Sequence, residues 1–221
     1  MKIFAKKWGC DLGNRIAFTL PFFLLKTSRK EIGDFTTMRK LFALLTFGIF
    51  ALMTTAASAQ TPDPEDVLVL ELKDGPVYIE TLPDFAPNHV RRIKQLARQN
   101  FYDGIVFHRV MDGFMAQTGD PTGTGRGGSG RNIRAEFSEF AFDRGVVGMA
   151  RSQSEDSADS QFFIMFAPGH FLNGKYTVWG RVIQGMEHVD KIKKAPAGSQ
   201  SGQVDNPDAM ISLRVLADIQ N

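Results

Sequence analysis

The chain has 221 residues and a mass of 24.5 kDa, with 43% hydrophobic and 23% charged residues, proportions that exclude a disordered, collagenous or disulfide-scaffold protein. Its formal charge of +2 is unevenly spread: residues 1–59 hold 9 of the 26 Lys and Arg but 3 of the 24 Asp and Glu, leaving 17 cations against 21 anions, a net of −4, in the remainder. A mildly acidic body without a basic stripe argues against nucleic acid as a partner, because phosphate binding needs clustered Lys and Arg to displace counterions.

Met38-Arg39-Lys40 is a short positive start, followed by a 13-residue apolar run from Leu41 to Met53 and by small residues ending in Ala57-Ser58-Ala59. Those are the three parts of a secretory signal peptide, with cleavage expected after Ala59. The run is shorter than the ~20 residues that span a bilayer, so no stable membrane insertion is expected once the signal is removed. Residues 1–37 contain a second apolar stretch, Ile16 to Leu25, broken by Pro21. Two accounts of it stand: translation starts at Met38 and the upstream residues extend the reading frame, or they form a long n-region. Cys10 is the one cysteine, so a mature chain of residues 60–221 holds no disulfide, thiol nucleophile or Cys-ligated metal. The terminal Ala217-Asp218-Ile219-Gln220-Asn221 is no retention tetrapeptide, and the combination points to a bacterial periplasm.

Residues 60–221 read as one domain, large enough to bury a substantial core. Val67 to Leu72 and Val77 to Leu82 are β-rich runs around Asp74-Gly75, which predicts a hairpin. Pro87 stands where a first helical residue would, and Val90, Ile93, Leu96 and Ala97 recur at helical spacing with Arg91, Arg92, Lys94 and Arg98 outward. The basic face of that helix reads as ordinary solvation. From Ile105 to Trp179 the pattern changes to short strand-like pieces between Gly-rich turns, among them 106–110, 145–150, 160–166 and 176–179. A second helix is predicted from Met186, Val189 and Ile192, with Lys191, Lys193 and Lys194 near its end and Pro196 as its stop. Met210 to Asp218 reads as a closing strand. Many short strands with two separated helices predict a mainly β fold, an antiparallel sheet closed into a barrel with helices over its ends. No long apolar face is left over, so a monomer is expected.

Gly123 to Gly128 formally matches a dinucleotide-binding fingerprint, but no βαβ unit contains it. His89, His108, His170 and His188 are scattered, with no pair at i, i+4, so neither metal nor other cofactor is expected.

The informative text is Phe107-His108-Arg109-Val110-Met111-Asp112-Gly113-Phe114-Met115-Ala116-Gln117-Thr118-Gly119-Asp120, followed by Gly148-Met149-Ala150, Ser160-Gln161-Phe162-Phe163-Ile164, Leu172-Asn173-Gly174-Lys175 and Val178-Trp179-Gly180. Together these resemble the cyclophilin family of peptidyl-prolyl cis/trans isomerases, collinearly from about Val67 to about Asp218. The resemblance implies an eight-stranded antiparallel closed barrel capped by two α-helices. It implies that Arg109 is the catalytic arginine, with Gln117 as its partner in holding the peptide. Phe114, Met115, Phe163 and Leu172 correspond to the proline pocket, and Gln161 to a backbone-holding group. Ala150 matches a position on the groove wall, and His108 a supporting place beside the arginine. Outside such a pattern Phe114 and Phe163 would read as core and Arg109 as a surface charge; the joint spacing sets them apart.

Three positions depart from the family's frequent residues. Phe171 stands where many members carry Trp, which removes an indole donor and implies weak binding of cyclosporin-type inhibitors. Tyr176 replaces a frequent His, with a stacking face retained. Arg151 replaces a common Asn, adding a positive charge that would favour acidic substrates. The expected partner is a proline-containing polypeptide, and the expected role is assisting the folding of exported proteins. A catalytically silent peptide-binding or holdase module using the same groove is the alternative, against which the intact Arg109 argues.

Overall fold

The computed structural model describes residues 61–220; the upstream extension, the signal segment and Cys10 lie outside them. Eight strands form one sheet in the order β3-β4-β6-β5-β7-β2-β1-β8, every neighbouring pair antiparallel. They are β1 (Val67–Leu72), β2 (Gly75–Thr81), β3 (Arg109–Met111), β4 (Met115–Thr118), β5 (Val146–Met149), β6 (Phe162–Met165), β7 (Val178–Gln184) and β8 (Ser212–Val215). The sheet curls into a half-barrel around a core that includes Leu68, Ile79, Phe107, Ile164 and Trp179. The predicted hairpin is β1–β2, with its two-residue turn at Lys73-Asp74; Gly75 already pairs with Leu72.

The expectation of a closed barrel needs correction. Among the described residues no ladder joins β3 to β8, and the gap is crossed by the 202–210 segment. That segment makes single bridges, Val106 with Ala209 and Arg109 with Gln203. It also accepts from the Phe107 and Val110 N–H groups, at Asp208 O and Gly202 O, both at 2.8 Å. A regular strand cannot form there, since Pro207 has no N–H to give and Asn206 sits at φ 49°.

The first predicted helix is α1 (Pro87–Arg98), with Val90, Ile93, Leu96 and Ala97 buried. Its N-cap residue, Ala86, has no side chain able to cap. Glu136 supplies the function from 48 residues away, its carboxylate accepting the Asn88 and His89 N–H groups at 3.1 Å. The second predicted helix shrinks to the four residues of α2 (Met186–Val189). Beyond it the backbone is claimed by tertiary partners: Lys193 N–H donates to the Asp208 carboxylate at 2.8 Å and Ala195 N–H to Val110 O at 3.0 Å. The predicted closing strand is β8, and its last part turns into the short α3 (Leu216–Ile219).

Candidate active site

The site follows from the two-residue period of three paired strands. Val110 on β3, Ala116 on β4 and Phe162 and Ile164 on β6 point into the main core. Arg109 and Met111, Met115 and Gln117, and Phe163 and Met165 must therefore face the other side, where a second apolar cluster forms around Met115, Phe142, Phe163 and Leu172. The register places Arg109 opposite Gln117, and Gln117 opposite Phe163. Gly148 of β5 lets the rings of this cluster pack against the strand, where nothing larger fits: a Cβ there would come within 2.6 Å of the Phe142 ring and 2.7 Å of the Phe163 ring.

A cavity of about 280 Å³ opens on this face. Its apolar floor and wall are Phe114, Met115, Phe163 and Leu172, and its polar side is Arg109 and Gln117. Phe171, Tyr176, Ala150 and Arg151 complete the rim. Phe171 is 64% exposed and stacks on Phe114 with centroids 5.7 Å apart. Tyr176 meets the Phe163 ring edge-on at 6.0 Å. Arg151 lies over the Tyr176 ring, its Cζ 4.7 Å from the centroid, while its Nε and Nη2 donate to Lys175 O and its Nη1 to Ser152 O and Gln153 O. Its charge therefore stands at the rim with four of its five N–H donors engaged.

Arg109 is held from behind by its Nε–H, which donates to Ser201 O at 3.0 Å. Its Nη1 donates to Gln117 Oε1 at 3.2 Å, Gln117 Nε2 to Gln161 Oε1 at 2.9 Å, and Gln161 Nε2 to Gly127 O at 2.8 Å and Gly125 O at 3.1 Å. The order of this relay is fixed at both ends. A guanidinium can only donate and a backbone carbonyl can only accept, so each glutamine amide has a single orientation that satisfies its neighbours. The remaining contacts of Arg109 are to the weakly accepting sulfurs of Met111 and Met115, which leaves N–H capacity turned to the cavity.

Two of the sequence-derived residues do not line the cavity. Gln161 sits one step back, in the relay and in an adjoining cavity of about 570 Å³. His108 is buried with its ring against Gly125, and burial pushes it below the ordinary 6.5, so it is neutral at pH 7. Sequence reasoning missed Asp120, which organises the loop that ends the relay. Its carboxylate accepts from Thr122 N–H and hydroxyl at 2.7 and 2.8 Å and from the Gly125 and Gly127 N–H groups at 2.6 and 3.1 Å. A signal was present, since Asp120-Pro121-Thr122-Gly123 has the residue types of a type I turn, and Gly123 N–H does donate to Asp120 O. The Ser201 carbonyl had none, because it arrives through tertiary structure.

The family model for cyclophilin-type peptidyl-prolyl cis-trans isomerases matches residues 67–215. A Brucella abortus protein named "Probable peptidyl-prolyl cis-trans isomerase" is 49% identical over 188 residues, covering 80% of this chain and 93% of its own. The rat protein named peptidyl-prolyl cis-trans isomerase-like 3 is 42% identical over 132 residues, covering 58% of this chain and 81% of its own. Among solved structures, cyclophilin AquaCyp293 from Hirschia baltica matches with a TM-score of 0.64 at 27% identity, over 72% of this chain and 77% of that one. A Cryptosporidium parvum cyclophilin, crystallised in the presence of the dipeptide Ala-Pro, matches with a TM-score of 0.61 at 27% identity, over 67% of this chain and 98% of that one.

Proposed function

The chain belongs to the cyclophilin family of peptidyl-prolyl cis-trans isomerases, and we propose that it serves exported polypeptides, turning their X–Pro bonds with Arg109 as the catalytic group. The observation that carries the site assignment is the cavity in which a rigidly held guanidinium borders an apolar floor sized for a small ring. Rotation about an X–Pro bond is slow because amide resonance raises a barrier of ~18–20 kcal/mol. As the bond twists, resonance is lost and the prolyl nitrogen gains a lone pair. A spare Arg109 N–H can donate to that lone pair, which exists only in the twisted state, so the interaction raises turnover and not merely affinity. Arg suits the task because it stays protonated and its donors form a rigid fork. Phe114, Met115, Phe163 and Leu172 grip the ring, and the Gln117 amide holds a neighbouring peptide group while the other side rotates. No bond breaks, so the reaction asks for no nucleophile, metal or cofactor.

The direct experiment follows the cis-to-trans relaxation of an X–Pro test peptide with the purified protein. Acceleration proportional to enzyme concentration is expected; none at all would leave only a peptide-binding module. Export rests on the Met38 to Ala59 pattern. Amino-terminal sequencing of protein from the periplasmic fraction should begin at Gln60, and full-length protein confined to the cytoplasm would overturn that assignment.

Rim chemistry sets two smaller expectations. Cyclosporin-type inhibitors should bind weakly, and Phe171→Trp, which restores an indole N–H at an exposed position, should tighten binding up to about tenfold, the value of one hydrogen bond. Titration calorimetry on the two proteins decides it. Arg151 acts mainly through its charge, because four of its five N–H donors are engaged by backbone carbonyls, so acidic-flanked peptides should turn over about two- to threefold faster than basic ones at low salt. Equal rates would remove that preference.

A further inference from the structure

A cavity of about 930 Å³ lies away from the active site, between α1 and residues 131–134. Six cations line it: Arg91, Arg92, Lys94 and Arg98 from the helix, and Arg131 and Arg134 from the facing segment. Two of them are neutralised locally, Lys94 by Asp66 at 2.7 Å and Arg98 by Glu65 and Asp218 at 2.8 and 2.9 Å. The other four meet no carboxylate. Arg91 donates to the neutral Asn88 Oδ1, and Arg92 to Gln95 Oε1 and Ser129 Oγ. The guanidinium groups of Arg131 and Arg134 have no partner among the described residues. Glu65 is the one carboxylate on the lining, and it is already bound to Arg98. In a body whose overall balance is −4, this is a concentrated exception.

We propose that this cavity docks an acidic stretch of the same polypeptide whose proline occupies the active site, an inference that rests on the isomerase reading above. Continuity supports it: Asn132 borders both the basic cavity and the one that adjoins Gln117 and Gln161, so a chain leaving the active site along the 125–130 loop passes directly into it. Composition selects the occupant. Pro83, Pro87, Val90 and Ile133 give the lining apolar ground between the cations, which suits an extended peptide. The lining holds no aromatic ring on which a base could stack, which disfavours single-stranded nucleic acid. The chain's own residues 1–59 carry 9 cations to 3 anions and are the wrong sign to fill it.

The test uses X–Pro peptides extended on either side by a neutral spacer and a tail of glutamates or, as control, glutamines, with dissociation constants read by fluorescence anisotropy. The glutamate tail on one side should tighten binding about tenfold in about 0.02 M salt, and the gain should vanish near 0.3 M, as expected for exposed charges brought together on a tether. Arg131→Gln with Arg134→Gln should abolish the gain while leaving the isomerisation rate of the tail-less peptide unchanged; both residues are exposed, so folding is not at risk. Equal affinities for the two tails, a gain that survives the double variant, or tighter binding of a single-stranded RNA at these arginines would each overturn the proposal. Should the tail-less peptide not be isomerised, the isomerase reading fails by itself; arginine-dependent binding of a proline-free glutamate peptide would then still place an acidic-peptide site in this cavity.

Discussion

Arg109→Ala is expected to lower kcat/KM on an X–Pro test peptide by about 10²–10³-fold, the usual cost of removing one donor aimed at charge that develops in a transition state. The loss should fall mainly on kcat, because the apolar floor that grips the ring is intact and the deleted hydrogen bond has no ground-state counterpart. Folding should survive, since Arg109 is only half-buried and its principal backbone partner, Ser201 O, lies on an exposed residue that water can reach. Circular dichroism confirms that point before any rate is compared. Arg109→Lys separates charge from geometry: it keeps the cation but cannot reach Ser201 O and Gln117 Oε1 as a planar fork, and it should recover little of the rate. The wild-type rate should also change little as pH rises above neutrality, since Arg109 stays protonated and burial lowers the His108 pKa in favour of its neutral form. Alanine and wild-type proteins of equal activity would leave the isomerase class standing and remove Arg109 from its centre.

Local patterns in the sequence were legible where a single element decides the outcome. Pro87 and the spacing of Val90, Ile93 and Leu96 give α1 from residues within the helix. The alternation of core-facing Val110, Ala116 and Ile164 with Arg109, Gln117 and Phe163 is likewise set by the strand period. What was not legible depends on partners far along the chain. The end of α2 is decided by Asp208 and Val110, and the open seam beside β3 by Asn206 and Pro207. The basic face of α1 looked like solvation because Arg131 and Arg134, which turn it into a lined cavity, stand more than 30 residues away. The motif singles out Arg109, Gln117, Phe114 and Phe163, which line one cavity. It did not show that Gln161 works behind the cavity, or that the relay has its far end in a loop shaped by Asp120.

That loop carries the second large expectation. Asp120 is fully buried, and burial by itself would raise its pKa. The donors of Thr122, Gly125 and Gly127 more than reverse this and hold it down to about 2, from an ordinary 3.8. A group whose folded pKa is depressed stabilises the fold at pH values above its unfolded pKa, and the contribution is lost as pH falls through the folded value. The gap of nearly two units corresponds to about 2–3 kcal/mol, present at pH 5 and progressively lost between about pH 4 and pH 2. Asp120→Asn, which removes the charge and turns an amide N–H₂ toward backbone donors, should cost about 2–3 kcal/mol in urea unfolding at pH 7. Near pH 2 its stability should approach that of the wild type, because protonation has removed the same charge there. A pH-independent difference would mean that the residue acts by shape alone. The loop is also the far anchor of Gln161, so the variant should lose isomerase activity by a few-fold even where it remains folded. Unchanged activity in a folded Asp120→Asn protein would show that Arg109 is oriented by Ser201 without help from the relay.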